Sequence, residues 1–119
     1  MKRLVLVIML STSALGQAQA ARAWHLTGSE LAAALAGRMP SEIHDAALAR
    51  RFSAAYAQAY ILGIADQTQG TLWCARGGVL PHELKDRVHT YLAALPASRL
   101  DENAAPLVSE ALGQSFTCR

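Results

Sequence analysis

The 119-residue sequence lacks the constellations on which most enzyme chemistry depends. It has no glycine-rich phosphate loop, no zinc-type cysteine spacing and no CxxCH haem motif. Acidic residues occur singly apart from Asp101-Glu102, and neighbouring side chains do not face each other on a helix. The four histidines, His25, His44, His82 and His89, do not gather either. Only His82 and His89 share a predicted helix, where seven residues separate them by about 10 Å along the axis, too far to hold one metal ion together. No catalytic residue, metal site or cofactor is therefore expected. Cysteine is scarce: Cys74 and Cys118 are the two in the chain. A Cys–His nucleophile would need a free thiol, which a bridged Cys74 could not supply. Strand-like alternation of convincing length, internal repeats and low-complexity tracts beyond one Ala-rich helix are also missing, which leaves an all-α class.

Long hydrophobic runs are absent as well. Leu4 to Leu10, LVLVIML, falls far short of the roughly 20 residues needed to span a bilayer. Lys2 and Arg3 precede it, and small and polar residues follow down to Ala18-Gln19-Ala20. That order is the signature of a secretory signal peptide over residues 1–20, with a buried N-terminal helix as the alternative. Ala21-Arg22-Ala23 offers a second cleavage position after Ala23, and no cysteine follows the run to accept a lipid. The expected mature domain spans residues 21–119 and resides in the periplasm, with no membrane attachment. Removing Lys2 and Arg3 from the 11 basic residues leaves nine against nine acidic ones. A neutral domain without Lys/Arg clusters has no electrostatic footprint for nucleic acid.

About a hundred residues form one domain, small enough for a covalent staple to matter. In an exported chain Cys74 and Cys118 read as one disulfide, with two free thiols as the alternative. Helical signals divide the remainder into about four helices, expected to form a small orthogonal bundle closed by that one disulfide. Thr27-Gly28-Ser29-Glu30 opens the first with Ser29 as its N-cap, and Gly37 and Pro40 stop it. A second runs from about Asp45 to Gln69 with one apolar face formed by Leu48, Phe52, Ala55, Tyr56, Ala59 and Leu62. Gly63 within it marks a close approach by another backbone, and Gly70 ends it. After a loop holding Trp73, Cys74 and Gly77-Gly78, Pro81 starts a third helix with the stripe Leu84, Val88, Tyr91, Leu92 and Leu95, closed by Pro96. Residues 97–103 read as a polar connection. A last helix from about Asn103 to Leu112 buries Ala104, Leu107, Val108, Ala111 and Leu112, with Gly113 as its stop.

Two residues carry separate weight. Asp66 lies near the C-terminal end of the second helix, where the macrodipole disfavours negative charge. It calls for a specific partner, either backbone in the Thr71–Cys74 loop or a second protein. Trp73 reads as a core or loop anchor rather than an exposed hot spot.

The ordered motifs TGSEL (Thr27–Leu31), YILGIAD (Tyr60–Asp66), WCA (Trp73–Ala75), HELKDRVHTYLAALP ending at Pro96 and APLVSEALGQSFTC ending at Cys118 resemble those of the Rap/Tai family. Its members are immunity proteins against peptidoglycan amidases delivered by type VI secretion. Tyr60, Gly63, Asp66, Trp73 and the Phe116-x-Cys118 ending match its structural motif in order and spacing. Two departures stand out: the helices hold alanines such as Ala54, Ala55 and Ala57 where many relatives have a further cysteine pair, and Ala75 follows Cys74 where relatives often have proline. The resemblance implies a homodimer, not an enzyme, that binds a cognate amidase and blocks its cleft with a protruding loop. Two connections could serve, Arg76–Leu80 and Ala97–Asn103. The second is favoured, with Arg99, Asp101 and Glu102 as contacts and Arg76 as a further one. A small periplasmic helical chaperone or stress protein is the competing class.

Overall fold

The computed structural model describes residues 25–119; the signal peptide, both cleavage positions and the domain boundary at residue 20 lie outside the described residues. The fold is all-α, with α1 (Gly28–Leu35), α2 (Ala46–Thr68), α3 (Pro81–Ala93), a single turn α4 (Ala97–Leu100) and α5 (Ala104–Ser115). The polar connection expected at 97–103 thus contains a helical turn. Among the described residues β-structure is limited to two isolated bridges, Thr27 with Asn103 and Gln69 with Trp73. No described helix is long and apolar enough to cross a membrane.

Local chemistry sets the helix ends. Thr27, rather than Ser29, caps α1: its hydroxyl accepts from the Glu30 amide at 3.2 Å, and the Glu30 carboxylate accepts from the Thr27 amide at 2.8 Å. Asp45 caps α2 by accepting from the Leu48 amide at 2.7 Å. Pro81 opens α3, where the Glu83 carboxylate satisfies the Leu80 amide at 2.8 Å. Gly70 ends α2 with φ +82°, a left-handed conformation that costs glycine least.

The core lies where α2, α3 and α5 meet, with α1 across it. Leu31, Ile61, Leu84, Val88, Leu92, Leu107, Val108 and Leu112 are buried there. The α3 and α5 stripes face inward as expected. The expected apolar face of α2 does not: Leu48 is 55% exposed and Phe52 44%. The buried line of α2 is Ser53, Ala57, Ile61 and Ala65. Ser53 is buried because it is satisfied; its hydroxyl donates to the Ala34 carbonyl at 2.8 Å and accepts from the Met39 amide at 3.0 Å. That pair of bonds locks the end of α1 onto α2.

Close backbone approaches fall at other glycines than expected. A Cβ at Gly63 would meet nothing within 4 Å, whereas one at Gly113 would lie 2.8 Å from the Leu72 carbonyl oxygen. Gly113 therefore does not stop α5, which continues to Ser115. It lets the Leu72 backbone rest against the helix. Gly28 is as tight, with Leu107 2.7 Å from its would-be Cβ.

Candidate functional site

Two ends of α5 and the groove beside it hold the functional candidates. At the C-terminal end, Cys74 and Cys118 are joined by a disulfide with their Cα atoms 5.0 Å apart. The Cys74 amide donates to the Phe116 carbonyl at 2.9 Å. The Trp73 indole is 4% exposed, donates to the Ala65 carbonyl at 2.9 Å and meets the Phe116 ring at 5.9 Å, the two planes tilted by 60°. Trp73 is thus a core anchor, and the chain's tail is fixed to the loop that precedes α3. Arg76 follows on this loop, exposed, beside Gly77 and Gly78, both with positive φ.

At the N-terminal end of α5, α4 and the two residues that follow it present Arg99, Asp101 and Glu102. Arg99 is the centre of a small network. Its Nη2 lies 2.8 Å from Glu110 Oε2, and its Nε lies 2.9 Å from Glu102 Oε1 without the alignment of a hydrogen bond. Tyr91 in α3 donates its hydroxyl to the same Glu110 oxygen at 2.6 Å. The Tyr91 hydrogen bond, then that from Arg99, holds the Glu110 carboxyl below its usual range. The same bond raises the Tyr91 hydroxyl pKa, because Glu110 stabilises the protonated phenol. Arg99 is therefore tied into α5 and α3, while Asp101 and Glu102 stand exposed. The Glu102 backbone carbonyl accepts from Gly28 at 2.9 Å, which fixes the turn against the start of α1.

The structure brings Arg99 and Glu102 together and leaves Arg76 apart. The 12-residue α5 lies between the two groups, about 18 Å of helix rise. Asp66 is exposed and makes no ion pair among the described residues; the bond to the Thr71–Cys74 loop that would have explained it is not formed. Tyr60 is half-buried, and burial followed by the nearby Tyr56 raises its pKa. Its ring and that of Tyr56 flank His25, which hydrogen-bonds the Tyr56 hydroxyl. Among the described residues no group of three or more His, Cys, Asp or Glu is placed to hold a metal ion.

Two features escaped the sequence reading. An open groove of about 1210 Å³ runs between α2 and α5, with Gly63, Ala105, Ser109 and Gly113 among its lining residues and the 56% exposed Leu72 beside them. Small residues at every fourth position of α5 were its available signal. The other is the Tyr91–Glu110–Arg99 network, hidden because Tyr91 counted as part of an apolar stripe.

Compared with known protein families, residues 27–118 match the model of the Rap1a immunity proteins. The chain belongs to this family. A comparison with curated proteins finds no match. The matched segment of this Rap1a immunity protein begins at the Thr27 cap of α1 and ends at Cys118 of the disulfide, so it contains every element of the fold. Immunity proteins of this kind inhibit secreted effectors by binding them and are not enzymes. For a Rap1a immunity protein the informative surfaces are those that can be covered by another protein: the α4 turn, the disulfide loop and the unpartnered sides of α2.

Proposed function

We propose that the chain is exported with residues 1–20 removed and matures as one domain over residues 21–119. In the periplasm it binds a peptidoglycan amidase delivered by type VI secretion and blocks its cleft, sparing the producing cell. The family match over residues 27–118 carries this reading. The Cys74–Cys118 bond supports the compartment, since disulfides persist in the periplasm and are rare in the cytosol. A peptidoglycan amidase also meets its substrate there. The protruding contact is the turn over residues 97–103. Arg99, braced by Glu102 and Glu110, holds this turn rigid, and Asp101 and Glu102 face outward from it. A rigid turn loses little conformational freedom on binding, which favours affinity. Arg76, at the far end of α5, provides a second contact. The protein acts as a homodimer.

The test uses the mature chain and type VI-delivered peptidoglycan amidases, with cleavage of purified sacculi as the readout. Inhibition at one chain per enzyme is expected. Reversing the charges of Arg99 and Asp101 together should weaken inhibition at least tenfold, about 1.4 kcal/mol. Unchanged inhibition removes the turn from the interface. If no such amidase is bound and unfolded chains are captured without preference, the protein is a chaperone and the immunity reading against amidases fails.

A further inference from the structure

The open groove between α2 and α5 holds about 1210 Å³, more than the roughly 300–1,000 Å³ of a small-ligand cleft. Its polar lining is already satisfied. Thr68 donates its hydroxyl to the Ile64 carbonyl at 2.7 Å, and Ser109 donates to the Ala105 carbonyl at 3.2 Å, each within its own helix. Glu110, the one charge among the described lining residues, accepts from Arg99 at 2.8 Å and from the Tyr91 hydroxyl at 2.6 Å. A carboxylate that is already paired can be covered by apolar atoms at far lower cost than a bare one. Exposed Gln67 and Gln114, one on each wall, supply a polar rim. Leu72 stands 56% exposed beside them on a fixed backbone. Its amide donates to the Thr68 carbonyl at 2.9 Å, its own carbonyl rests against Gly113, and the buried Trp73 follows it. A large apolar side chain held still in the open is a preorganised contact.

We propose that this groove seats an apolar helix of the effector, two to three turns long, with Leu72 packed against its side chains. The inference rests on the effector binding proposed above and names the element of the partner that this surface takes. Both walls are helices whose backbone groups are bonded internally, and the lining hydroxyls and carboxylate are engaged, so the groove cannot pair the free amides of an extended strand. A helix brings no such amides along its length. Ala105, Ser109 and Gly113 recur at every fourth position of α5 over about 12 Å of helix rise. Gly63 faces them from α2, where a Cβ would meet nothing within 4 Å. These small residues let the backbone of the incoming helix approach closely. Continuity with the α4 turn identifies the effector as its source. Glu110 lines the groove and also braces Arg99 of that turn, and Ala105 and Pro106 of the lining follow directly after residues 97–103. A protein seated on the turn therefore runs onto the groove at Glu110, where the paired carboxylate tolerates an apolar neighbour but repels an Asp or Glu.

Isothermal titration of the mature chain with the type VI-delivered amidase that it inhibits in the sacculus assay tests the groove. Leu72→Asp sets a charge against the apolar helix, and Gly63→Leu fills the space that the helix needs. Each should weaken binding about tenfold or more, whereas Leu72→Met should stay within about threefold of the original chain. The fold is not at stake in these variants. Leu72 is exposed, and a side chain at Gly63 enters open space with a gain in helix propensity, so thermal melts should be near or above that of the original chain. Amidase bound by Leu72→Asp and Gly63→Leu as tightly as by the original overturns the groove and leaves the immunity reading standing. The same unchanged binding joined to a loss of self-association in sedimentation velocity would hand the groove to a second copy of the chain. An original chain that binds no such amidase overturns both readings.

Discussion

Removing the cross-link between Cys74 and Cys118 by substituting serine at both positions should destabilise the domain by about 4 kcal/mol. The bond closes 44 residues of chain. In the chain-entropy treatment a 15-residue loop is worth about 3 kcal/mol and a 100-residue loop about 4.7. The native contacts around the bond do not depend on it. The Cys74 amide still reaches the Phe116 carbonyl, and Trp73 remains packed on Phe116 and bonded to Ala65. The loss therefore lies in the unfolded chain, which becomes free to expand. A small domain has about 5–15 kcal/mol of stability in all, so the variant should fold but melt about 20 °C lower, given about 2 cal/mol/K of unfolding entropy per residue. Urea unfolding followed by circular dichroism is the assay. The midpoint should fall and the m-value should rise, because the uncrosslinked unfolded state exposes more surface. A loss below about 1 kcal/mol with an unchanged m-value would refute the argument. It would mean that the unfolded chain is already held compact between residues 74 and 118.

Three further outcomes follow from single positions. Ser53→Ala removes the hydroxyl that joins Ala34 and Met39; it should cost about 1–2 kcal/mol by urea unfolding, because Met39 loses its acceptor while the Ala34 carbonyl keeps the Gly37 amide. Gly63→Ala and Gly113→Ala should act in opposite directions. The first adds a methyl into open space and should stabilise by about 0.5–1 kcal/mol through helix propensity. The second drives a methyl against the Leu72 carbonyl and should destabilise by about 1–3 kcal/mol. Equal melting shifts for the pair would contradict this. Glu110 has its folded pKa depressed, first by Tyr91 and then by Arg99. Its contribution is therefore present above the unfolded carboxylate value near pH 4 and is lost as pH falls through the lower folded value. Thermal melts between pH 7 and pH 3 should show a shallower acid loss for Glu110→Gln than for the original chain.

Much of the fold was legible because the helix ends carry their own chemistry. Asp45, Gly70 and Pro81 mark boundaries through a side-chain acceptor, a left-handed turn and a fixed φ. Each acts locally, so the surrounding fold does not alter its meaning. Glycine inside a helix is different. The sequence cannot say whether its missing Cβ makes room for something, and here Gly63 faces open space while Gly113 receives the Leu72 backbone. At the start of α1, Thr27 and Ser29 are both able to cap. The choice fell to Thr27 because Glu30 stands at the third position from it and can return the bond. The α4 turn was read as polar connection because four residues are too few to show a period.

The candidate site was harder to read, and α2 shows why. Its apolar residues fit a 3.6-residue period on more than one side, so periodicity finds a helix but not its inner face. Leu48 and Phe52 made the outward line look like the core, being larger than Ala57 and Ala65 on the inner one. What decides is fit to neighbours that are distant in sequence. The inner line is small because α3 and α5 crowd it, and its one polar member, Ser53, is held there by two backbone groups from the end of α1. Large side chains were left to the side with room for them. The same logic applies to charge: Arg99 looked free in the sequence and is tied by Glu102 and Glu110, whereas Asp66 called for a partner and stands unpaired among the described residues. Residues left unmatched by their own fold in both size and charge are where a second protein has most to gain, and in this chain they lie along the outward side of α2.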